Sequence, residues 1–238
     1  MTTVGSASGP EAIRVIDLVK RYGANTSSET YALRGVSFSI AQGDFAAIIG
    51  PSGSGKSTLL NMIGALDRPT SGKIYIDGID ISKLPNLALA SLRNKKIGFV
   101  FQSFNLLSRI SVRENVELPL VIAEVPAKER RKTAMQLLER FGIASKAESR
   151  PTNLSGGEQQ RVAVARALAS DPSIILADEP TGNLDTKNTE LTMETLEELH
   201  DKTGKTVVMI THNPDLAKRT RTVIAIRDGQ ITEIIENN

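Results

Sequence analysis

The chain has 238 residues, 40% of them hydrophobic and 24% charged, which is typical of a globular protein and excludes disordered, collagen-like and coiled-coil classes. Its 29 basic and 27 acidic residues give a formal charge of +2, so electrostatics alone predicts no nucleic-acid partner. Cysteine is absent, which excludes disulfides and thiolate metal sites, and no apolar run approaches the roughly 20 residues of a membrane-spanning helix.

The first third of the chain alternates strand and turn patterns. Residues 1–10 are small and aperiodic and predict a flexible leader. The β-branched runs IRVIDLV, YALRGVSFSI and FAAIIG then predict an antiparallel sheet that leads into a buried strand. A helix is predicted from Lys56 to about Leu66, Asp77-Gly78 predicts a hairpin, and KIGFVFQ predicts another buried strand.

The segment of about 104–168 has a different character. Its apolar residues recur at helical spacing, as in Ala134, Leu137, Leu138 and Phe141. Strand-like runs return only with SIILAD at 173–178, so this segment is predicted to be mostly helical. A helix over 186–203, the strand TVVMIT, a short helix after Asn213-Pro214 and a final hairpin complete an alternating β/α chain.

The run GPSGSGKS matches the P-loop pattern G-x-x-x-x-G-K-[ST] between a predicted strand and a predicted helix. Glycines let the backbone turn tightly and present N–H groups to phosphate oxygens, and the start of the helix adds a partial positive charge. The alternative is a Gly/Ser-rich turn without a ligand. The predicted nucleotide-binding residues are Gly50, Pro51, Ser52, Gly53, Ser54, Gly55, Lys56, Ser57 and Thr58. Among them, Lys56 is expected to reach the β- and γ-phosphates and Ser57 to bind Mg²⁺.

Polar residues follow two further predicted strands, at the edge where α/β sheets bind ligands. Asp178 and Glu179 follow SIILA and resemble Walker B, which predicts Asp178 as a Mg²⁺ ligand and Glu179 as the group that polarises the attacking water. His212 follows TVVMIT and is expected to reach a γ-phosphate oxygen. The other histidine, His200, is assigned to a solvated helix face.

The run LSGGEQQR at 154–161 places a serine and two glycines at the start of a probable helix, which is again anion-binding geometry. A second phosphate site in one chain suggests that it serves the nucleotide of a neighbouring subunit. With the P-loop upstream and the acidic pair downstream, residues 13–235 resemble the ABC ATPases, whose signature LSGGQ is LSGGE here. Glu158 therefore adds a negative charge near phosphate.

This resemblance implies an α/β fold: a P-loop NTPase core with a mostly parallel sheet, an antiparallel β subdomain and a helical signature subdomain. It implies an ABC ATPase domain over 11–238, with a RecA-like core of 11–103 and 169–238 and a helical subdomain of about 104–168. It further implies ATP and Mg²⁺ as ligands and a homodimer that forms with ATP. Two copies would then enclose the nucleotide between the P-loop of one and Ser155, Gly156 and Gly157 of the other.

The remaining family positions are carried over by resemblance. Gln102 resembles the Q-loop glutamine that touches Mg²⁺ or the attacking water, and Asp185 lies in a run that resembles the D-loop. The implied catalytic residues are Glu179, His212, Gln102 and Lys56. Tyr22 resembles the aromatic residue that stacks on adenine, with nearby Tyr31 as the alternative.

The runs NMIGALDRPTSG, GFVFQSFNLL, ENVELPL and ADEPTGNLD are similar to ATPases of lipoprotein-release and macrolide-export systems. This similarity implies a peripheral protein at the cytoplasmic face of the membrane, with an integral membrane permease as partner, an extracytoplasmic adaptor reached through that permease, and no nucleic acid. The implied role is efflux or mechanotransmission, and the alternative is regulation of cell division through a membrane partner. Partner contact is expected around Gln102–Leu107 and in the helical subdomain, and Phe104 either meets the partner or packs internally.

Overall fold

The computed structural model describes residues 9–23 and 29–237, which pack into two compact units. The first unit contains the described residues up to Ala90 together with those from Glu198 onward, and the second contains Ser91–Glu197. Most of the predicted leader, residues 1–8, and the insert residues 24–28 lie outside the described residues.

An antiparallel sheet begins the first unit. In spatial order its strands are β2 (Thr30–Ala41), β1 (Glu11–Tyr22), β4 (Ser71–Ile76) and β5 (Ile79–Asp80). Val36, Phe38 and Ile40 are buried at alternate positions of β2, so this sheet has one apolar face. Asp77 and Gly78 both have positive φ between β4 and β5, which confirms the predicted hairpin.

Parallel strands surround the strand that precedes the P-loop. The spatial order of the strands in this region is β10 (Gln230–Glu236), β9 (Thr222–Arg227), β3 (Phe45–Ile49) and β8 (Thr206–Ile210). β3 pairs in parallel with β8 and β9, whereas β10 is antiparallel to β9. Every residue of β8 is buried, as expected for a continuous apolar strand inside a parallel sheet. Helices α1 (Lys56–Ile63) and α7 (Pro214–Ala217) follow β3 and β8 in the chain.

The second unit combines a parallel strand pair with helices. Its strands are β6 (Ile97–Phe101) and β7 (Ile174–Asp178), and its helices are α3 (Val112–Ile122), α4 (Ala127–Arg140) and α5 (Gly156–Leu168). Val116, Leu138 and Val162 bring the three helices together in one apolar core. Between 104 and 168 the structure, which describes this whole segment, contains helices and short 3-10 turns but no strand, as predicted. The extent of a separate helical subdomain stays a prediction.

Two further helices complete the secondary structure, α2 (Asn86–Lys96) and α6 (Thr186–Thr203). α6 has the predicted bounds, whereas α2 was not predicted, because it buries only Leu89 and therefore lacks an apolar stripe. α1 ends at Ile63 rather than at about Leu66, since Gly64 forms its C-cap. No described helix is both long and apolar enough to cross a membrane.

The assignment of His200 to a solvated face was wrong. Its side chain is only 26% exposed, and its ring packs against Phe45 with the ring centroids 6.1 Å apart. Its charged neighbours in the sequence suggested solvent, but the position of Phe45 depends on tertiary packing.

Candidate functional site

The P-loop leaves β3 and enters α1, as the sequence predicts. A Cβ at Gly50 would lie 2.1 Å from the carbonyl oxygen of Ile226, so no larger residue fits there. Gly55, the N-cap of α1, has a φ of 103° and no side chain to cap the helix. Within the described residues, the N–H groups of Gly53, Gly55 and Lys56 donate to no protein acceptor. The loop therefore presents a set of open donors to an anion.

The ammonium group of Lys56 is bound to backbone carbonyls of this loop. The side chain is 7% exposed, and Nζ donates to the carbonyl oxygens of Gly50 and Pro51, each at 2.8 Å. Ser54 Oγ is buried and makes no hydrogen bond within the described structure, which is unusual for a buried hydroxyl. Ser57 is exposed at the start of α1. These features fit a loop whose hydrogen bonds are completed by a phosphate group.

The register of the parallel strands brings His212 level with the P-loop. Ile48 of β3 is paired with Ile210 of β8. The pairing continues one step beyond β8, because Thr211 N donates to Ile48 O at 3.2 Å. Gly50 and His212 each follow two residues after these partners, so they leave neighbouring strands at the same level. His212 is exposed there, as required of a group that reaches a phosphate.

Tyr22 lies at the end of β1, and the residue is 43% exposed. Its hydroxyl donates to Asp67 Oδ2 at 3.1 Å. Burial is the main cause that raises the pKa of Tyr22, and the hydrogen bond to Asp67 raises it further against the opposing effects of Thr58 and Lys20. Because Thr58 belongs to α1, Tyr22 faces the helix that follows the P-loop.

Tyr31 is equally exposed, at 44%, so exposure does not separate the two candidates for base stacking. The surroundings of the two side chains, however, separate the candidates. Tyr31 pairs across the strands with Arg21, the neighbour of Tyr22 in β1, so the two tyrosines face opposite sides of the sheet. The Tyr31 ring lies 6.0 Å from the guanidinium of Arg21 and 5.9 Å from that of Arg34. These contacts favour Tyr22 as the residue on the P-loop side.

In the second unit, the acidic pair and the glutamine end neighbouring strands. Phe101 of β6 is paired with Asp178 of β7. Gln102 and Glu179 are the next residues of each strand, so they emerge side by side at the carboxyl edge. Glu179 has a φ of 44°, a conformation that costs energy in a residue other than glycine and is concentrated at functional sites.

Residues after Glu179 hold the glutamine and the signature helix. Asn183 Nδ2 donates to Gln102 O at 3.0 Å. A Cβ at Gly182 would lie 2.6 Å from Gln102 Nε2, so a larger residue at this position would displace the Gln102 side chain. From α5, the buried side chain of Gln160 donates through Nε2 to Pro180 O at 2.9 Å. The chain between Walker B and the D-loop is thus bonded to both neighbouring motifs.

The signature run starts α5 with a capping box. Ser155 N and Ser155 Oγ both donate to Glu158 Oε2, at 2.8 and 3.0 Å, and Glu158 N donates to Ser155 Oγ at 3.3 Å. The backbone and hydroxyl hydrogen bonds from Ser155 lower the pKa of Glu158. Glu158 therefore completes the capping box of α5. In the described structure, the N–H groups of Gly156 and Gly157 have no protein acceptor.

Asn188 joins the signature to the D-loop, which sequence reasoning missed. A Cβ at Gly157 would lie 2.0 Å from Asn188 Oδ1. Asn188 Nδ2 donates to both carboxylate oxygens of Asp185, at 3.0 and 2.9 Å, and its backbone N–H donates to the same carboxylate. These backbone and side-chain bonds lower the pKa of Asp185. The available signal was an aspartate just before a helix, a common N-cap.

The structure thus groups the predicted residues within the two units. In the first unit they are Tyr22, the P-loop residues 50–58 and His212. In the second unit they are Gln102, Ser155, Gly156, Gly157, Asp178, Glu179 and Asp185. Their chemical roles stay predictions.

Comparison with known proteins identifies relatives over nearly the whole chain. A family model described as ABC transporter matches residues 33–182. The macrolide export ATP-binding/permease protein MacB of Hyphomonas neptunium is 49% identical over 222 residues, which cover 93% of this chain but only 34% of that protein. The lipoprotein-releasing system ATP-binding protein LolD 1 of Rhodopseudomonas palustris is 46% identical over 222 residues, 93% of this chain and 98% of that protein.

A solved structure of an ATP-binding cassette is also similar to this chain. The dimeric post-hydrolysis state of the cassette MJ0796 bound to ADP and Pi, a protein of Methanocaldococcus jannaschii, has a TM-score of 0.88 at 43% identity. The match covers 95% of this chain and 99% of that chain. The α/β fold of a P-loop NTPase, predicted from the sequence, is therefore confirmed.

Proposed function

The chain belongs to the ABC transporter family as one of its ATP-binding proteins, and we propose that it hydrolyses ATP to drive a separate membrane subunit. The reaction converts ATP and water to ADP and phosphate, and its proposed use is efflux or mechanotransmission. The names of two relatives, a macrolide exporter and a lipoprotein-releasing ATPase, support this direction.

ATP binding is proposed to use the open donors of the P-loop. A phosphate on the loop accepts from the N–H groups of Gly53, Gly55 and Lys56, and Lys56 Nζ exchanges its bonds to loop carbonyls for phosphate oxygens. Mg²⁺, when bound, supplies positive charge beside the phosphates, and Ser57, Asp178 and Gln102 are the side chains proposed to hold it. The described residues contain no group of three or more His, Cys, Asp or Glu side chains placed to hold a metal ion, and such a Mg²⁺ site needs none, because phosphates and water supply most ligands.

Besides Lys56, which contacts the β- and γ-phosphates, hydrolysis is proposed to depend on three side chains. Glu179 accepts a hydrogen bond from the attacking water and polarises it, Gln102 orients that water, and His212 contacts the γ-phosphate. The register of β6 and β7 supports this assignment, since it places Gln102 beside Glu179.

The observation that carries the shared-nucleotide model is the start of α5. Its capping box satisfies Ser155 and Glu158, while the N–H groups of Gly156 and Gly157 have no acceptor among the described residues. A helix start with open donors binds an anion well. We propose that it meets the phosphate held by a second copy, so that two copies enclose ATP, with Asp185 beside the same interface. The dimeric state of the solved relative with ADP and Pi supports this assembly.

The membrane subunit is proposed to bind this chain around Gln102–Leu107, at the cytoplasmic face of the membrane. Leu107 is 52% exposed, whereas its backbone is fixed by the buried side chain of Asn115: Leu107 N donates to Oδ1 at 2.7 Å, and Nδ2 donates to Leu107 O at 3.0 Å. Phe104 is only half-buried, but it lies beside Gly156, so Leu107 offers the freer apolar contact. An extracytoplasmic adaptor would be reached through this subunit.

The decisive experiment replaces Glu179 with Gln and measures mass by light scattering with ATP and with ADP. The substitution keeps the shape of the side chain and removes the base. We expect a stable dimer with ATP, a monomer with ADP and loss of hydrolysis. Glu194→Gln, an exposed change on α6, is the matched control and should hydrolyse ATP normally.

A monomeric Glu179→Gln variant that nevertheless binds ATP would contradict the shared-nucleotide model. For the partner, Leu107→Glu should keep basal ATPase activity and lose co-purification with the membrane subunit from detergent-solubilised membranes. The sequence of that subunit decides between an efflux-type permease and a cell-division partner. Undiminished co-purification would exclude docking at Leu107.

A further inference from the structure

We propose that Asp67 is a positioning residue for the nucleotide base: it holds the ring of Tyr22 through the phenolic hydroxyl, with Lys20 as a second support. The inference rests on the proposed ATP-binding function and deepens it, because it assigns residues to recognition of the base rather than of the phosphates.

Asp67 uses both carboxylate oxygens. Oδ2 accepts from the Tyr22 hydroxyl at 3.1 Å and from Lys20 Nζ at 2.8 Å, while Oδ1 accepts from Arg68 N at 2.7 Å. The carboxylate therefore has a fixed orientation. Burial alone would raise the pKa of Asp67, but the bonds from Lys20, Arg68 and Tyr22 lower it, so the group stays ionised.

Lys20 is fixed in the same way. Its side chain is 12% exposed, and Nζ also donates to Arg68 O at 2.8 Å. The ammonium lies over the Tyr22 ring, 4.8 Å from its centroid. A cation on one face of the ring leaves the other face for a planar base, and Tyr22 as a whole residue is 43% exposed.

The segment that carries Asp67 is itself anchored. The Arg68 guanidinium donates through Nη2 to Leu84 O at 2.6 Å and to Asn86 Oδ1 at 2.8 Å. Asp67 follows α1 after a short turn in which its N–H donates to Asn61 O at 3.2 Å. Since α1 begins at the P-loop, the Asp67 carboxylate fixes the Tyr22 ring relative to the loop that binds phosphate.

The test separates the hydroxyl tether from the stacking surface. Tyr22→Phe removes only the hydroxyl, Asp67→Asn replaces the charged acceptor of that hydroxyl with a neutral amide and so weakens the tether, and Tyr22→Ala removes the ring. We expect Tyr22→Phe and Asp67→Asn each to raise the KM for ATP about two- to tenfold with kcat unchanged, the effect of losing one hydrogen bond in the first variant and of weakening it in the second. The effects of the two substitutions on KM should not add in the double variant, because both act on the same hydrogen bond.

Inorganic tripolyphosphate, which has phosphates and no base, is the matched probe. Its inhibition constant against ATP hydrolysis should be the same in the unaltered protein and in Asp67→Asn. Tyr31→Phe is the matched control on the opposite face and should leave the KM unchanged. Thermal melting of each variant checks that it is folded.

A second readout does not depend on activity. The protein has three tyrosines, so loss of one phenolate transition in Tyr22→Phe identifies the Tyr22 signal in an ultraviolet pH titration. Asp67→Asn should lower that pKa, because Asp67 raises it. Lys20→Met should act in the opposite direction while keeping the carboxylate.

Four results would overturn the proposal. An unchanged KM in Asp67→Asn beside a raised KM in Tyr22→Ala means that Tyr22 stacks without the tether. Weaker tripolyphosphate inhibition in Asp67→Asn means that Asp67 acts on the P-loop helix instead. A raised KM in Tyr31→Ala with none in Tyr22→Ala makes Tyr31 the platform. In all three cases the ATPase function stands; absence of ATP binding by the unaltered protein overturns that function and this inference together.

Discussion

Helices α3 and α5 of the second unit begin with the same cap and differ in the two residues that follow it. Each has a capping box, Ser111 with Glu114 and Ser155 with Glu158. In α3 the next two N–H groups donate to backbone carbonyls, Val112 N to Ser149 O at 2.9 Å and Arg113 N to Ala147 O at 2.8 Å. In α5 these positions are Gly156 and Gly157, and within the described residues their N–H groups have no protein acceptor.

The side chains repeat this difference. Val112 is fully buried, and Arg113 forms ion pairs with Glu117 and Glu148. The glycines of α5 offer no such contacts, and the carbonyl of Asn188 fills the space above Gly157. A capping box fixes where a helix begins, but the first two helical residues decide whether that beginning is closed by the protein itself or left open to a ligand.

The largest effect is expected from adding a side chain at Gly157, at the start of α5. Gly157→Ala places a Cβ 2.0 Å from Asn188 Oδ1, which forces Asn188 off Asp185. We expect ATP-dependent dimerisation of the Glu179→Gln protein to weaken by more than about tenfold, equivalent to roughly 1.4 kcal/mol, as measured by light scattering against protein concentration.

The control substitution in α3 is Arg113→Ala. It should leave the dissociation constant of the ATP-bound dimer unchanged, although it removes two ion pairs. A second substitution, Asn188→Ala, relieves the clash in the Gly157→Ala protein. If dimerisation then stays weak, contact with the nucleotide rather than displacement of Asn188 explains the requirement for glycine.

A smaller effect is expected from removing the caps. Ser111→Ala and Ser155→Ala should each lower the free energy of unfolding by about 1 kcal/mol, because each loses a side-chain acceptor for a helix N–H. Only Ser155→Ala should also slow ATP hydrolysis. Urea denaturation and steady-state ATPase assays measure the two effects. Equal activity of both variants would show that the Ser155 hydroxyl has no role beyond the cap.

The smallest effect concerns pH. Hydrogen bonds from the capping serines lower the pKa of Glu114 and of Glu158 below the ordinary value of 4.5. Each carboxylate therefore contributes stability that is present above pH 4.5 and is lost as the pH falls through its lowered pKa.

Glu114→Gln and Glu158→Gln should accordingly reduce stability slightly at neutral pH and make little difference in acid. Thermal melting of both variants between neutral and acid pH measures this. An equal loss at every pH would assign the effect to packing. If only Glu158→Gln also tightens the ATP dimer, the charge of Glu158 opposes the phosphate.

Local patterns predicted the elements well. The strand, glycine turn and helix around the P-loop, the Asp77-Gly78 hairpin and the start of α5 are all set by residues close together in the chain. α2 was missed because a helix with one buried residue has no apolar period. The choice between Tyr22 and Tyr31 stayed open for a different reason: the two residues are alike in exposure, and Tyr22 is distinguished by its bond to Asp67, which is distant in the sequence.

By itself, the sequence determined where the chain turns, which glycines belong to phosphate-binding motifs and which helices begin with a serine. These features depend on backbone conformations and on hydrogen bonds between near neighbours. Only the tertiary structure decided which motifs stand together. The pairing of β6 with β7 places Gln102 beside Glu179, and the pairing of β3 with β8 places His212 level with Gly50. Strand register joins residues far apart in the chain, and it depends on which buried faces pack together rather than on the residues of one strand alone.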